Sequence, residues 1–194
     1  MNYILEKGKV GLTRPRENYL EKYLEWINDM RVNAYLGNRL GQVHTLEEEE
    51  EWYEDIKDQE DTVIFTIHDL SSGTPIGNCS FTDIDHMSNR AEVGILIGEE
   101  EYRSRGYGTT TLELLLDYGF TALNLASIRL GVMEGNERAR ACYEKVGFRE
   151  AGRLRKFYLV GGEYQDLILM DILREEFTEK YESIIQNRYL NQDN

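Results

Sequence analysis

The hydrophobic positions of the chain follow two periodicities, one typical of strands and one typical of helices. Short apolar runs bounded by turn residues predict five strands, at 8–14, 62–70, 76–84, 90–98 and 127–133. A hairpin is predicted over 157–173, with its turn at Gly161 and Gly162, because paired glycines favour tight turns between antiparallel strands. The apolar run 93–96 does not alternate with polar residues. We therefore expect strand 90–98 to be central and buried on both faces.

Helical spacing of apolar residues appears in five other segments. It predicts helices over 17–30, from Thr45 through Ile56, from 109 through 123, over 136–148 and over 174–190, with a frayed tail at 191–194. Thr45 and Glu48 have the spacing of a capping box, which fixes the start of the second helix. The order of elements predicts an α+β fold with a mixed seven-stranded sheet and helices on both faces. We expect one domain over residues 1–194.

Composition narrows the class of protein. The chain has 194 residues, of which 41% are hydrophobic and 30% charged, and its net charge is −14. This acidic field disfavours nucleic acid, and no apolar run has the roughly 18–20 residues of a membrane span. Two cysteines and three scattered histidines predict neither a disulfide framework nor a metal site. We expect a cytoplasmic protein; the acidic charge is explained either by solubility or by a cationic partner.

The segment RSRGYGTTT at 103–111 joins a predicted strand to a predicted helix. The first turn of a helix leaves backbone N–H groups unpaired, and glycines allow a ligand to approach them closely. Arg103 and Arg105 add charged donors. The segment therefore predicts either a phosphate site or a tight turn in which the glycines serve geometry alone. It lacks the lysine of a P-loop and the third glycine of a dinucleotide fingerprint, where Thr111 stands instead.

A third pattern fits this segment. Arg103-x-x-Gly106-x-Gly108 resembles the coenzyme A loop of the GNAT superfamily of acetyl-CoA-dependent N-acetyltransferases, and NERARACYEKVGF at 136–148 resembles the second signature of that family. The resemblance covers roughly residues 8–173 and implies a GNAT fold whose sheet is splayed in the middle. Three features resemble the branch of ribosomal-protein N-terminal and spermidine acetyltransferases: the Trp26 helix, the Trp52 helix and the hairpin that ends the sheet. That branch also contains enzymes that act on aminoglycosides and amino sugars.

The resemblance implies a set of cofactor contacts. The arm of acetyl-CoA would pair with strand 90–98, its pyrophosphate would meet the loop, and Asn136 would bond the arm near the splay. The implied cofactor-binding residues are Ile95, Leu96, Ile97, Arg103, Ser104, Arg105, Gly106, Tyr107, Gly108, Thr109, Asn136, Ala139 and Tyr143. Asn136 can also serve as a helix N-cap, and both roles are compatible. No metal is implied.

Two catalytic residues follow from the same resemblance. Tyr143 is the candidate acid that protonates the departing thiolate, with a packed core tyrosine as the alternative. Glu92 is the candidate base that deprotonates the amine, and a structural carboxylate is an equal alternative. The other groups that could act as the base, directly or through water, are Asp83, Asp85, Tyr164 and Asp166.

The acceptor is less defined than the cofactor. We expect it to be recognised by the first two helices, the loop 35–44 and the hairpin 157–166, where Tyr35, Tyr158 and Tyr164 could frame a cleft. The negative charge favours a polyamine or another small cationic amine. A protein N-terminus, an aminoglycoside or an amino sugar stays open, as does a homodimer. A module of the same fold that binds acyl-CoA without turnover is the alternative of another class.

Overall fold

The computed structural model describes residues 2–36 and 41–190, with the side chain of residue 189 excepted. The predicted mixed sheet is confirmed, but it has eight strands in the described part of the chain rather than the expected seven. The strands are β1 (Leu5–Lys7), β2 (Val10–Thr13), β3 (Val63–Asp69), β4 (Pro75–Asp85), β5 (Arg90–Ile97), β6 (Ser127–Met133), β7 (Arg149–Val160) and β8 (Glu163–Leu173).

The additional strand comes from the N-terminal turn. Residues 8–14 were expected to form one strand, but Gly8 has a φ of 56° and, with Lys9, turns the chain so that β1 pairs back onto β2. Glycine adopts this left-handed conformation without steric cost. The spatial order is β1-β2-β3-β4-β5-β6-β8-β7, and every neighbouring pair is antiparallel except β5–β6.

Six helices of regular geometry accompany the sheet in the described segments. They are α1 (Leu20–Asn28), α2 (Met30–Asn33), α3 (Leu46–Asp55), α4 (Tyr107–Asp117), α5 (Glu137–Val146) and α6 (Arg174–Lys180). The helix expected over 17–30 is shorter because Asp29 leaves the helical conformation and caps α2. The C-terminal helix expected over 174–190 breaks at Tyr181, and a second helical turn follows at Gln186–Leu190. The predicted tail 191–194 lies outside the described residues.

Alternation along β5 divides the helices between the two faces of the sheet. Leu96 packs against Leu20, Tyr23 and Trp26 of α1, whereas Ile95 and Ile97 pack into the main core with α4. The face of α1 therefore carries Glu92, Gly94 and Leu96, and helices cover both faces as expected.

The expectation that strand 90–98 is buried on both faces is wrong. Gly94 is exposed, and the residues from Ile95 to Ile97 are only half-buried. The physical reason is that β6 pairs with β5 only from Arg90 to Glu92, so the rest of β5 has no strand beside it on that edge. The apolar side chains that look like core in the sequence border a cavity instead.

The predicted capping box is present. Thr45 accepts a hydrogen bond from the Glu48 N–H at 3.3 Å, and the Glu48 carboxylate accepts one from the Thr45 N–H at 3.0 Å. Two backbone donors that the helix leaves unpaired are thus satisfied by side chains at the start of α3.

We expect Thr45→Ala to lower the free energy of unfolding by about 1 kcal/mol, because it removes this N-cap acceptor. Urea unfolding followed by circular dichroism measures the change. Thr62→Ala is the matched control, since it removes a hydroxyl that donates to the adjacent Asp61 carboxylate at 3.3 Å. Equal stability of the Thr45 variant and the wild type would contradict the assigned cap.

Candidate active site

The sheet opens between β5 and β6, at the place where the family resemblance implied a splay. The two strands pair at Arg90, Ala91 and Glu92 and then diverge. Beyond this point the end of β5, from Ile95 to Ile97, and the end of β6, from Gly131 to Met133, line a cavity of about 320 Å³. The edge of β5 next to β6 keeps backbone groups that a bound chain-like ligand can pair with.

The loop before α4 forms one wall of this cavity. Arg103, Ser104, Gly106, Gly108 and Thr109 line it. The backbone is left-handed at Ser104, with a φ of 57°, and at Gly106, with a φ of 86°. The first bond within α4 runs from the Thr110 N–H to the Gly106 carbonyl at 3.0 Å. The preceding N–H groups of the first turn thus have no helical partner, which is the arrangement that binds phosphate.

Basic residues surround the cavity. Arg31, Arg103, Arg138 and Lys145 line it, and no Asp or Glu does so among the described residues. Positively charged side chains are therefore concentrated around this cavity, although the net charge of the chain is −14. Such a wall favours an anionic ligand, since the field of distant carboxylates is screened beyond roughly 10 Å.

Three of these cations were not predicted from the sequence. Arg138 and Lys145 lie on α5 with Cys142 between them, at the spacing of one helical face, so the periodicity of α5 could have indicated them. Arg31 lies on α2 and pairs with Glu100 at 2.5 Å. No local sequence pattern indicates that Arg31 lies near the loop, because the contact between Arg31 and Glu100 joins segments that are far apart in the sequence.

Arg103 holds the loop against the end of β5. Its Nε donates to the Ile97 carbonyl at 3.0 Å, and its Nη2 donates to the Gly98 carbonyl at 2.6 Å. Burial, with a smaller contribution from the nearby Arg138 charge, lowers the pKa of the Arg103 guanidinium from its usual value. An arginine remains charged even so, and Arg103 therefore both fixes the loop and adds positive charge to the cavity wall.

Arg105 and Tyr107 lie differently from the other loop residues. Neither lines the cavity in the described part of the structure. Arg105 is exposed, and the side chain of Tyr107 is buried and directed towards Asp69. The predicted contact of Arg105 with the cofactor stays a prediction. For Tyr107 the prediction now concerns only the backbone N–H, because the side chain is directed elsewhere.

Tyr143 lines the cavity from α5 and is 8% exposed. Its ring meets Phe148 edge to face, with the ring centroids 5.9 Å apart. Burial raises the pKa of its phenol above the usual value, so the hydroxyl is protonated at neutral pH. Within the described ranges the hydroxyl has no hydrogen-bond partner, and its proton is available to a ligand.

Asn136 and Ala139 lie at the start of α5 and also line the cavity. The Asn136 side chain accepts a hydrogen bond from the Ala139 N–H at 3.2 Å, which makes it the N-cap of α5. The cap uses the carbonyl oxygen of the amide, so the amide N–H₂ can still donate to a ligand. The two roles considered for Asn136 are thus geometrically compatible.

Glu92 lies near the point where the strands separate, but it does not line the cavity. Its carboxylate pairs with Arg129 Nε at 3.4 Å, and its side chain is 42% exposed. This geometry fits a structural ion pair as well as a base that acts through water. Glu92 stays a candidate.

The other candidate bases have partners of their own. Asp85 accepts from the Met87 and Ser88 N–H groups at 2.9 Å each, and hydrogen bonds from Ser88 hold its pKa below the usual value. Asp166 accepts from the Lys156 N–H at 2.8 Å, and Asp83 pairs with Arg129 at 3.7 Å. Asp85 and Asp166 are thus held by backbone N–H groups, whereas Asp83 and Glu92 share Arg129 as their ionic partner, so Asp83 stays a candidate base beside Glu92.

The three tyrosines predicted to frame an acceptor cleft are not all brought together. Tyr35 lines the cavity and is half-exposed. Tyr158 and Tyr164 lie on the β7–β8 hairpin and do not line the cavity; burial, and to a smaller extent the charge of Glu92, raises the pKa of Tyr158. Residues 37–40 of the predicted recognition loop 35–44 lie outside the described residues.

The described residues contain no cluster of three or more His, Cys, Asp or Glu side chains that could hold a metal ion. No helix in these ranges is long and apolar enough to cross a membrane.

Comparison with known proteins identifies the family. The acetyltransferase (GNAT) domain family matches residues 9–149. A spermidine N(1)-acetyltransferase of Escherichia coli (strain K12) is 33% identical over 142 residues, which cover 69% of this chain and 76% of that protein. A counterpart from Vibrio cholerae serotype O1 is 34% identical over 118 residues, or 61% of this chain and 67% of that protein.

A solved structure is similar over most of the chain. The spermidine N-acetyltransferase of Vibrio cholerae in complex with CoA and spermine has a TM-score of 0.82 and 27% identity, and the match covers 89% of this chain and 99% of that one. The family match spans the cationic loop, the splay and the helix that carries Tyr143. The chain therefore belongs to the GNAT acetyltransferase family and is an acetyl-CoA-dependent N-acetyltransferase.

Proposed function

We propose that this enzyme moves the acetyl group of acetyl-CoA to a primary amine of a polyamine, by direct attack in a ternary complex. The observation that carries the proposal is the similarity, over 89% of the chain, to a structure that holds CoA and spermine. The cavity supports it, since four cations and a protonated tyrosine line the place where an anionic cofactor would lie.

The cofactor would run along the cavity from the loop to the splay. Its pyrophosphate accepts hydrogen bonds from the first turn of α4 beside Arg103, and its arm extends past the amide of Asn136. The thioester carbonyl meets the backbone N–H groups between Ile95 and Ile97, where the strands diverge. Donors held in this position stabilise the negative charge that develops on the carbonyl oxygen.

The amine would approach from the face of α1. Gly94 is exposed on that face between Glu92 and Leu96, so the sheet is open there. An alkyl ammonium has a pKa of about 10 and must lose its proton before it attacks. Glu92 takes that proton through water, the neutral nitrogen forms a bond to the carbonyl carbon, and the carbon–sulfur bond breaks as Tyr143 protonates the departing sulfur. The nitrogen then loses its second proton through water, and this proton restores the phenol of Tyr143.

The proposal extends to the domain organisation, location and partners of the chain. Residues 1–194 act as one acetyltransferase domain, because the described strands form one sheet around one main core. Two free cysteines suit a reducing, cytoplasmic environment. The net charge of −14 disfavours nucleic acid as a partner. The exposed Leu154, Phe157 and Leu159 on the edge strand β7 favour a homodimer.

We expect spermidine to be the best acceptor in a panel that contains an aminoglycoside, an amino sugar and a peptide with a free N-terminus. The acidic protein attracts a polycation, so kcat/KM for spermidine should fall by about three- to tenfold between low and high salt. Release of free CoA thiol measures the rates.

A control with a monoamine of similar length isolates the effect of charge number, because a single charge is steered less strongly. A best acceptor with one charge and no salt dependence would contradict the polyamine proposal. A peptide as best acceptor would assign the enzyme to protein N-termini, and binding of CoA without turnover on any amine would identify a non-catalytic module.

A further inference from the structure

Tyr107 is the first residue of α4, but its side chain is directed away from the cavity. Its ring is 8% exposed, and its hydroxyl donates to Asp69 Oδ1 at 2.8 Å. Burial, followed by the hydrogen bond to Asp69, raises the pKa of Tyr107 to about 12. The hydroxyl is therefore a permanent donor at neutral pH, and it ties the start of α4 to the end of β3.

Asp69 is 3% exposed and fully engaged. Its second oxygen, Oδ2, accepts from Ser71 Oγ at 2.5 Å and from the Ser72 N–H and Oγ at 3.1 and 2.8 Å. Burial alone would raise the pKa of this carboxyl, but the hydrogen bonds from Ser71, Tyr107 and Ser72 outweigh burial and hold it well below its usual range. Asp69 is thus a charged acceptor in the tight turn between β3 and β4.

Lys9 reaches the same loop from another turn. It lies between β1 and β2, and its ammonium group lies over the ring of Tyr107, 4.2 Å from the centroid. The same group donates a hydrogen bond to the carbonyl of Arg105. Tyr102, on the other side of the loop, meets the Tyr107 ring edge to face, with the centroids 5.2 Å apart.

The loop between these contacts contains one residue in an unfavourable conformation. Ser104 is a residue other than glycine with a φ of 57°, whereas Gly106, with a φ of 86°, is left-handed without steric cost. A left-handed residue such as Ser104 persists only where the surrounding structure holds it. A loop that left this conformation would lose its aligned N–H groups, and the apparent dissociation constant would rise in inverse proportion to the fraction that stays competent.

We infer that Asp69, Tyr107 and Lys9 are positioning residues. They contact the loop 103–108 on the side away from the cavity and hold it in the conformation that binds CoA. The inference rests on the proposed function, because it requires CoA to bind at this loop. None of the three side chains lines the cavity in the described structure. They therefore act on affinity through the loop backbone and not through contact with the reacting atoms.

The test measures CoA binding directly by titration calorimetry and compares it with steady-state rates. We expect Tyr107→Phe to raise the dissociation constant of CoA and the KM for acetyl-CoA by about three- to tenfold, while kcat at saturating acetyl-CoA and the KM for the amine stay near wild type. Asp69→Asn should act in the same direction. The double variant should lose less affinity than the sum of the two single losses, since the bond between Tyr107 and Asp69 is common to both changes, although Asp69→Asn also disturbs the bonds from Ser71 and Ser72.

Two controls separate positioning from general loss of stability. Tyr23→Phe removes another buried tyrosine hydroxyl, which bonds Thr66 Oγ1, and it should leave CoA affinity unchanged. Lys9→Met should weaken CoA binding, whereas Lys9→Arg, which keeps the charge, should retain it. Lys9 is exposed, so both variants will fold even if the Tyr107 variant does not.

Three results would overturn the inference. They are wild-type CoA affinity in Tyr107→Phe and Lys9→Met, an equal loss of affinity in Tyr23→Phe, and a fall in kcat without a change in KM. Failure of the wild-type protein to bind CoA would instead overturn the proposed function and the inference together.

Discussion

Replacing Tyr143 with phenylalanine is expected to lower kcat by about a hundred- to ten-thousandfold, the usual contribution of general acid catalysis. The phenol lines the cavity without a protein hydrogen-bond partner among the described residues, so its proton is free to reach the sulfur. Loss of the hydroxyl leaves the departing thiolate without this donor. Turnover with saturating spermidine and acetyl-CoA, followed by release of CoA, measures the change.

Stability and cofactor affinity are the internal controls for this variant. The Tyr143 ring and its edge-to-face contact with Phe148 remain in the phenylalanine variant, so the thermal midpoint and the dissociation constant of CoA should stay close to wild type. Near-normal kcat in a folded variant that binds CoA would show that water or another residue supplies the proton. A loss of stability as large as the loss of activity would support the alternative of a packed core tyrosine.

The pH dependence gives a second check on Tyr143. Burial raises the pKa of its phenol, so the protonated, active form persists throughout the neutral range and is lost only above pH 10. An activity limb that titrates between pH 7 and 9 must therefore come from another group, such as the amine or its base. The same limb should be retained, at a lower rate, in the Tyr143→Phe variant.

Local sequence signals predicted the parts of the fold that depend on neighbouring residues. The capping box of Thr45 and Glu48 starts α3, and Gly161 and Gly162, with φ values of 59° and 87°, turn the β7–β8 hairpin. Both features depend on backbone groups only a few residues away, which a sequence pattern can specify. The start of α4 at Tyr107, directly after Gly106, follows from the same kind of signal.

Such local patterns could not predict the contacts between segments that are far apart in the sequence. The apolar end of β5 has the composition of a core strand, but the divergence of β6 makes it a cavity wall, and divergence depends on the whole sheet. Tyr107 occupies a predicted cofactor loop, and only its bond with Asp69, which lies in another turn, shows that the side chain faces away. Arg31 reaches the cavity for a similar reason, through the packing of α1 and α2.

The structure adds a second role to the one that the sequence predicted for Arg103. The sequence suggested a direct contact with phosphate, and the structure adds two hydrogen bonds to the carbonyls of Ile97 and Gly98. Because a guanidinium presents several donors in a rigid fork, these bonds leave further N–H groups for an anion. One side chain can thus hold the loop and contribute charge at once.

We expect Arg103→Ala to raise the dissociation constant of acetyl-CoA by roughly ten- to hundredfold, because a charge-assisted hydrogen bond is worth about 1.5–3 kcal/mol. The effect on pantetheine, which lacks the phosphates, should be weaker. Arg149→Ala is the matched control, since it removes the same charge from an exposed arginine that pairs with Glu176. Titration calorimetry with both ligands gives the four affinities to compare.

Arg103→Lys separates the two roles of this side chain. Lysine keeps the positive charge but cannot bridge two carbonyls with a planar fork. If charge dominates, Arg103→Lys should bind CoA nearly as well as the wild type; if the anchor dominates, it should resemble Arg103→Ala and lose affinity for pantetheine as well. Unchanged CoA affinity in Arg103→Ala would remove Arg103 from the phosphate site and leave the backbone N–H groups of α4, with Arg138 and Lys145, as the anion-binding groups.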